Sequence, residues 1–150
     1  SQHILHANLG TPGHVNSIAP GKLGLNNMTP ALVLGKDGVR MSVGASGGRR
    51  ITNCVTQLIV KALDYGMAPQ EAIDSPRVDC STPHTSVAPG MDGSVTKELE
   101  ARGHVLLVIG EGFVQTGFAS FASPVVITRD GAEEFRAGVD TFHSAYAQGL

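Results

Sequence analysis

The sequence predicts an α+β fold, and three observations carry that prediction. Ala31 to Leu34 and Val39 to Gly44 are apolar runs flanking Gly35-Lys36-Asp37-Gly38, and an Asp-Gly pair supplies the positive φ values that close a hairpin. Ile51, Cys54, Val55, Leu58, Ile59, Ala62 and Leu63 recur at i, i+3, i+4, i+7, i+8, i+11 and i+12, the single apolar stripe of a helix. The 150 residues include 19 Gly and 8 Pro but only 5 Phe, 2 Tyr and no Trp, which implies many tight turns and a core of small aliphatic groups. A helix laid over one face of a mainly antiparallel sheet accommodates all three.

The remaining elements follow in order. His3 to Ala7 reads as a first strand, and Gly10, Pro12, Gly13, Pro20, Gly21 and Gly24 then shape a long loop. Gly66 is the natural stop of the striped helix. Gln70 to Asp74 make a short second helix, because Pro76 bars the residue before it from helical dihedrals. Residues 75–94, with Pro76, Pro83, Pro89, Gly90 and Gly93, read as irregular structure. Thr96 to Arg102 form a helix ended by Gly103, and Val105 to Ile109 a strand. Pro124 to Thr128 and Glu134 to Ala137 form a last hairpin across Asp130-Gly131, and residues 139–150 a polar surface tail. A chain of this length is expected to be one domain, residues 1–150.

Charge and spacing exclude several function classes. Lys plus Arg is 11 against 13 Asp plus Glu, a net charge of −2, which leaves no basic surplus for a nucleic-acid backbone. No apolar run approaches the about 18–20 residues that a bilayer demands, so no membrane span is expected. Cys54 and Cys80 are far apart and are expected to be free thiols. His6, His14, His84, His104 and His143 lack paired spacing, so neither a metal nor any other cofactor is implied. The chain starts at Ser1 without a charged-then-apolar leader, as expected of a processing point, a tag scar or a trimmed boundary.

Chemistry concentrates at Gly44-Ala45-Ser46-Gly47-Gly48-Arg49-Arg50, between a hairpin strand and the striped helix. Adjacent glycines let backbone N–H groups converge without a Cβ in the way, and a helix N-terminus adds positive dipole character, a nest for an oxyanion or phosphate. A plain strand-to-helix turn explains the same glycines equally well. The pattern lacks the Lys-Ser/Thr that follows the glycine of a phosphate loop. Arg49 and Arg50 oppose the dipole in the first turn, where a salt bridge to an acidic neighbour is the simpler role. Glu98 and Glu100 lie on a short solvated helix and make a poor acid/base pair.

Pro20-Gly21-Lys22, Met28-Thr29-Pro30-Ala31, the Asp37-Gly38 hairpin, Val43-Gly44-Ala45-Ser46-Gly47-Gly48, Leu63-Asp64-Tyr65-Gly66-Met67 and Glu71-Ala72-Ile73-Asp74-Ser75-Pro76-Arg77 occur in an order and spacing that resemble the small subunit of gamma-glutamyltransferases, N-terminal-nucleophile hydrolases. Leu99 to His104 and Arg136-Ala137-Gly138-Val139-Asp140 echo that family's closing segments. The resemblance implies a layered αββα sandwich of which this chain forms part, and a precursor that cuts itself so that the large subunit comes from the same chain. It also implies a small amide substrate such as a γ-glutamyl compound, attacked by an N-terminal hydroxyl. Relatives of this kind are both exported (periplasmic or extracellular) and cytoplasmic, so the compartment stays open.

The implied chemistry is physically coherent. An α-amino group with a pKa of roughly 7.7–8.0 can take the proton of the hydroxyl on its own residue, uniting nucleophile and base. The resemblance assigns the oxyanion hole to Gly47 and Gly48. It leaves two registers for the nucleophile: Ser1 itself, with His3 matching the family's His, or a Thr upstream of Ser1. Asn26 and Asn27 stand where the family carries paired serines that touch the substrate's α-carboxylate, and Asn can donate there; the alternatives are the family's Leu-Asn-Asn segment brought next to Met28 by a deletion, or two turn-forming Asn. Ser46, inside the matched run, is assigned to the substrate pocket with them. The family's acidic Asp-Asp stretch is absent from this sequence. The expected function is therefore amide hydrolysis or acyl transfer, with a catalytically silent binding or assembly subunit as the alternative.

Overall fold

The computed structural model describes residues 13–23, 26–109, 121–131, 134–141 and 146–148. The strand expected at His3 to Ala7 lies outside them.

The first hairpin forms as its Asp-Gly turn dictates: β1 (Ala31–Gly35) pairs antiparallel with β2 (Gly38–Ser46). Helix α1 (Arg50–Leu63) follows directly, and its stripe is its buried face, with Ile51, Cys54, Val55 and Leu58 fully covered. Lys61 in the last turn suits the negative helix end. Helix α2 (Pro69–Asp74) starts on a proline, whose missing N–H costs nothing at that position. Glu71 Oε2 reaches back to accept from the Ala68 N–H at 3.3 Å, and Ser75-Pro76 ends the helix.

Strands β6 (Ser123–Asp130) and β7 (Glu134–Val139) make the second expected hairpin. The two hairpins join through β2 and β6, so the main sheet runs β1-β2-β6-β7 with all neighbours antiparallel. Ala31, Val43, Val126 and Gly138 stand opposite one another across it. That row faces α1 and α2, where Met41, Val43 and Val126 pack against Ile51, Cys54, Val55, Leu58, Ala72 and Ile73. Each large aliphatic side chain buried there contributes about 1.5–3 kcal/mol. The other face carries Leu32, Val125, Ile127 and Phe135, exposed by 65%, 43%, 42% and 65%.

Residues 75–94 differ from expectation. They hold two short strands, β3 (Val78–Asp79) and β4 (Thr85–Val87), which form a second sheet with β5 (Leu106–Val108) in the order β3-β4-β5. Strands this short leave no periodicity to read, and the parallel partner of β4 lies about one crossover away in the chain. That crossover is α3 (Gly93–Ala101), which begins three residues before the expected Thr96 because Asp92 caps it, accepting the Ser94 N–H at 2.7 Å. The tail expectation is also corrected at its start. Val139 belongs to β7, and Asp140 is tied down by its N–H donating to the Pro124 carbonyl at 2.9 Å. The described residues beyond it, Thr141 and residues 146–148, are exposed.

Cys54 and Cys80 are both free thiols, the first buried and the second exposed. Burial pushes the Cys54 thiol up to about 11. We therefore expect alkylation of the native protein at neutral pH to add one group, at Cys80, and a second only after denaturation, as read by peptide mass spectrometry.

Lys61 supplies a pH signature. Its Nζ donates to Ser75 Oγ at 2.6 Å and to the Pro76 carbonyl at 2.8 Å, and burial, then the Arg77 charge, lowers its pKa from 10.5 to about 8. Between those values the unfolded chain holds a proton that the folded one has released, so this residue makes stability rise with pH from about 8. Cys54, raised from 9.0 to about 11, acts oppositely: the folded chain keeps a proton the unfolded chain loses, and stability falls across that window. Urea denaturation at a series of pH values should show the rise between 8 and 9, and Lys61→Met should remove it.

Candidate functional site

The glycine turn sits where β2 hands over to α1. Gly47 and Gly48 have φ of +141° and +62°, and their carbonyls accept from the Arg50 and Ile51 N–H groups, each at 3.3 Å. These tight bonds start the helix without a side-chain cap, Arg49 at the N-cap making none. The N–H groups of Gly47 and Gly48 donate to no acceptor among the described residues. Two unpaired donors beside the positive end of a fourteen-residue helix are chemically suited to an oxyanion.

The turn is held from below. A Cβ built on Gly47 would lie 2.7 Å from both Cα and Cβ of Ala122, so the two backbones touch. Ala122 is 3% exposed and has φ +61°, the one positive value at a non-glycine among the described residues. Ser46 and Ser123, the neighbours of this contact, pair across β2 and β6. No sequence signal marks Ala122, since the contact is made across the sheet.

The other predicted site residues divide. Ser46 ends β2, exposed, immediately before the turn. Asn26 and Asn27 are brought to the same end of α1: Thr29 Oγ1 donates to the Asn27 carbonyl at 3.1 Å and lies 3.2 Å from Thr52 Oγ1, in the first turn of the helix. Asn26 uses its side-chain oxygen to accept the Met28 N–H at 2.8 Å, the turn-forming role, which leaves its amide nitrogen as the end able to meet a carboxylate. Ser1 and His3 lie outside the described residues.

Arg50 takes the ion-pair role, its Nε 3.8 Å from Asp79 Oδ2. Asp79 is 2% exposed and accepts from Asn53 Nδ2 at 3.0 Å and Ser81 Oγ at 2.7 Å, so its carboxylate is well satisfied. This buried anchor for the helix start was not foreseen, because β3 was not. Glu98 pairs with Arg102 at 2.8 Å on the exposed side of α3. No group of three or more His, Cys, Asp or Glu able to hold a metal occurs among the described residues, and no helix there is long and apolar enough to cross a membrane.

Glutathione hydrolase proenzyme from Escherichia coli is 36% identical over 94 residues, 61% of this chain and 16% of that protein. Acylase ACY 1 proenzyme from a Pseudomonas species is 34% identical over 93 residues, 62% of this chain and 17% of that protein. The chain thus spans about a sixth of the length of the curated relatives it matches. Gamma-glutamyltranspeptidase from Helicobacter pylori superposes with a TM-score of 0.69 at 25% identity, covering 87% of this chain and 69% of that one. Cephalosporin acylase from Bacillus halodurans superposes with a TM-score of 0.74 at 24% identity, covering 97% of this chain and 27% of that one. The α+β fold is therefore that of the N-terminal-nucleophile sandwich expected from the sequence. The sequence matches gamma-glutamyltranspeptidase over residues 2–149, and with the glycine turn and both hairpins in place this chain belongs to that family.

Proposed function

We propose that this chain is the small-subunit part, a single domain, of an amide hydrolase or acyltransferase that works beside a larger chain cut from the same precursor. The observation that carries the reading is the Gly47-Gly48 turn, whose two N–H groups have no acceptor among the described residues. In the proposed cycle an N-terminal hydroxyl attacks the carbonyl carbon of a γ-glutamyl or related small amide, and its proton passes to the α-amino group of the same residue. The two N–H groups hold the resulting oxyanion. The C–N bond then breaks, the amine leaves with the proton, and the acyl ester passes to water or to an acceptor amine.

Ser1 is the nucleophile in one register and an upstream Thr in the other. Ser46, Asn26 and Asn27 are the proposed substrate contacts. The cycle uses no cofactor and no nucleic acid. The bare apolar face of the main sheet supports the larger partner, since a sheet with both faces apolar is stable only when both are covered.

The test is maturation of the full precursor. N-terminal sequencing of the processed small chain locates the nucleophile, and replacing that residue by Ala should stop both cleavage and amide turnover. If Ser1→Ala changes neither while an upstream Thr proves essential, the second register holds. The turn-forming use of the Asn26 oxygen favours one alternative, a catalytically silent subunit, which the absence of any amide turnover by the assembled protein would establish.

A further inference from the structure

The contact beneath Gly47 is itself anchored by a chain of polar groups from distant parts of the sequence. Ser123, 8% exposed, opens β6 next to Ala122, and its Oγ donates to Asp140 Oδ1 at 3.3 Å. The Asp140 N–H donates to the Pro124 carbonyl at 2.9 Å, so the residue grips the start of β6 by side chain and backbone together. Behind it, Arg77 places NH2 3.4 Å from Asp140 Oδ2 and donates through NH1 to the Ile73 carbonyl at the end of α2. Arg77 is buried, and its Nε has no partner among the described residues. A buried guanidinium ties the last residue gripping β6 to the helix layer, at a cost in desolvation that simple core packing would avoid.

We infer that Asp140 is a positioning residue for the Gly47-Gly48 turn, acting through Ser123 and Ala122 with Arg77 holding it from behind. Ala122 keeps an unfavourable positive φ with its backbone pressed against Gly47. That conformation persists only if the start of β6 cannot relax away from the turn. The clamp formed by Asp140 and Ser123 provides the restraint, and the direction of the Gly47 and Gly48 N–H groups depends on it. This inference rests on the reading of that turn as the oxyanion site.

Ser123→Ala removes one side of the clamp and leaves the Arg77–Asp140 ion pair whole; Asp140→Asn removes the ion pair and keeps an oxygen for Ser123. In the assembled protein, two readouts are measured: kcat and KM with a chromogenic γ-glutamyl anilide, and hydrogen–deuterium exchange at the Arg50 and Ile51 amides, which donate to the Gly47 and Gly48 carbonyls and so report on the turn. For each variant we expect kcat to fall about tenfold, less than the ~10²–10³ for outright loss of a donor, with KM within about twofold. Exchange at the two amides should quicken about tenfold, and Ser123→Thr, which keeps the hydroxyl, should restore both readouts. Unchanged kcat and exchange in folded Ser123→Ala would overturn the inference, and that variant gives the answer even where Asp140→Asn fails to fold. Faster exchange in a protein that turns over no amide would uphold the clamp and sink the functional reading instead.

Discussion

Replacing Gly47 by alanine is expected to abolish most amide turnover and to lower stability, whereas the same change one residue later does far less to the fold. At Gly47 the new methyl would stand 2.7 Å from Cα and Cβ of Ala122, on a backbone whose φ of +141° an L-residue rarely adopts. Neither side can yield cheaply. Moving the turn unpairs Ser46 from Ser123, and moving Ala122 shifts a buried residue at the start of β6. Displacing the turn removes the proposed oxyanion donors, and loss of one such donor costs ~10²–10³ in kcat. At Gly48 the φ is +62° but nothing lies within 4 Å of the added methyl. The cost there is the left-handed backbone alone, about 1–2 kcal/mol. Steady-state kinetics and urea denaturation of both variants make the check. A Gly47→Ala protein with full turnover would mean that the turn does not serve the reaction.

Gly138→Ala is expected to be the most damaging small substitution elsewhere in the fold. Its backbone φ is ordinary, so the reason is proximity: an added methyl would lie 2.6–2.8 Å from Gln70 N and from the Pro69 carbonyl group. Helix α2 is pinned at that distance. Gln70 Nε2 donates to the Val139 carbonyl at 3.1 Å while its Oε1 accepts the Val139 N–H at 3.0 Å, so the side-chain amide continues the edge of β7 like a further strand. The methyl must either break this pair or push α2 away from the sheet, pulling its own Ala72 and Ile73 out of the core. Overpacking of this kind costs about 1–3 kcal/mol. In a chain of this size each kcal/mol lowers Tm by about 2–4 °C, which calorimetry resolves. An unchanged Tm would show that α2 slides freely over β7.

Both predictions turn on contacts no local pattern announces. The hairpins at Asp37-Gly38 and Asp130-Gly131, the α1 stripe and the stop at Ser75-Pro76 were legible because their causes lie within a few residues. Turn φ values, a 3.6-residue period and a proline's steric clash act on the chain before it folds. The glycine turn was legible for the same reason, as a strand, two glycines and a helix in immediate succession. Strands β3 and β4 escaped notice, since with two and three residues they owe their existence to partners rather than propensity.

Composition, periodicity and turn chemistry thus decided the class of fold and the place of the glycine turn, because those properties are written at short range. Only the packed structure decided that Gly47 rests on Ala122, that Asn27 is drawn to the head of α1 through Thr29 and Thr52, and that Gly138 is the seat of α2. Likewise Asp140 and Arg77 are 63 residues apart, and Asp140 and Ser123 are 17 apart. Contacts over such separations form only when the sheet order β1-β2-β6-β7 has closed, since it is that closure which brings the start of β6 against the end of β2 and offsets the entropy of ordering the chain between them.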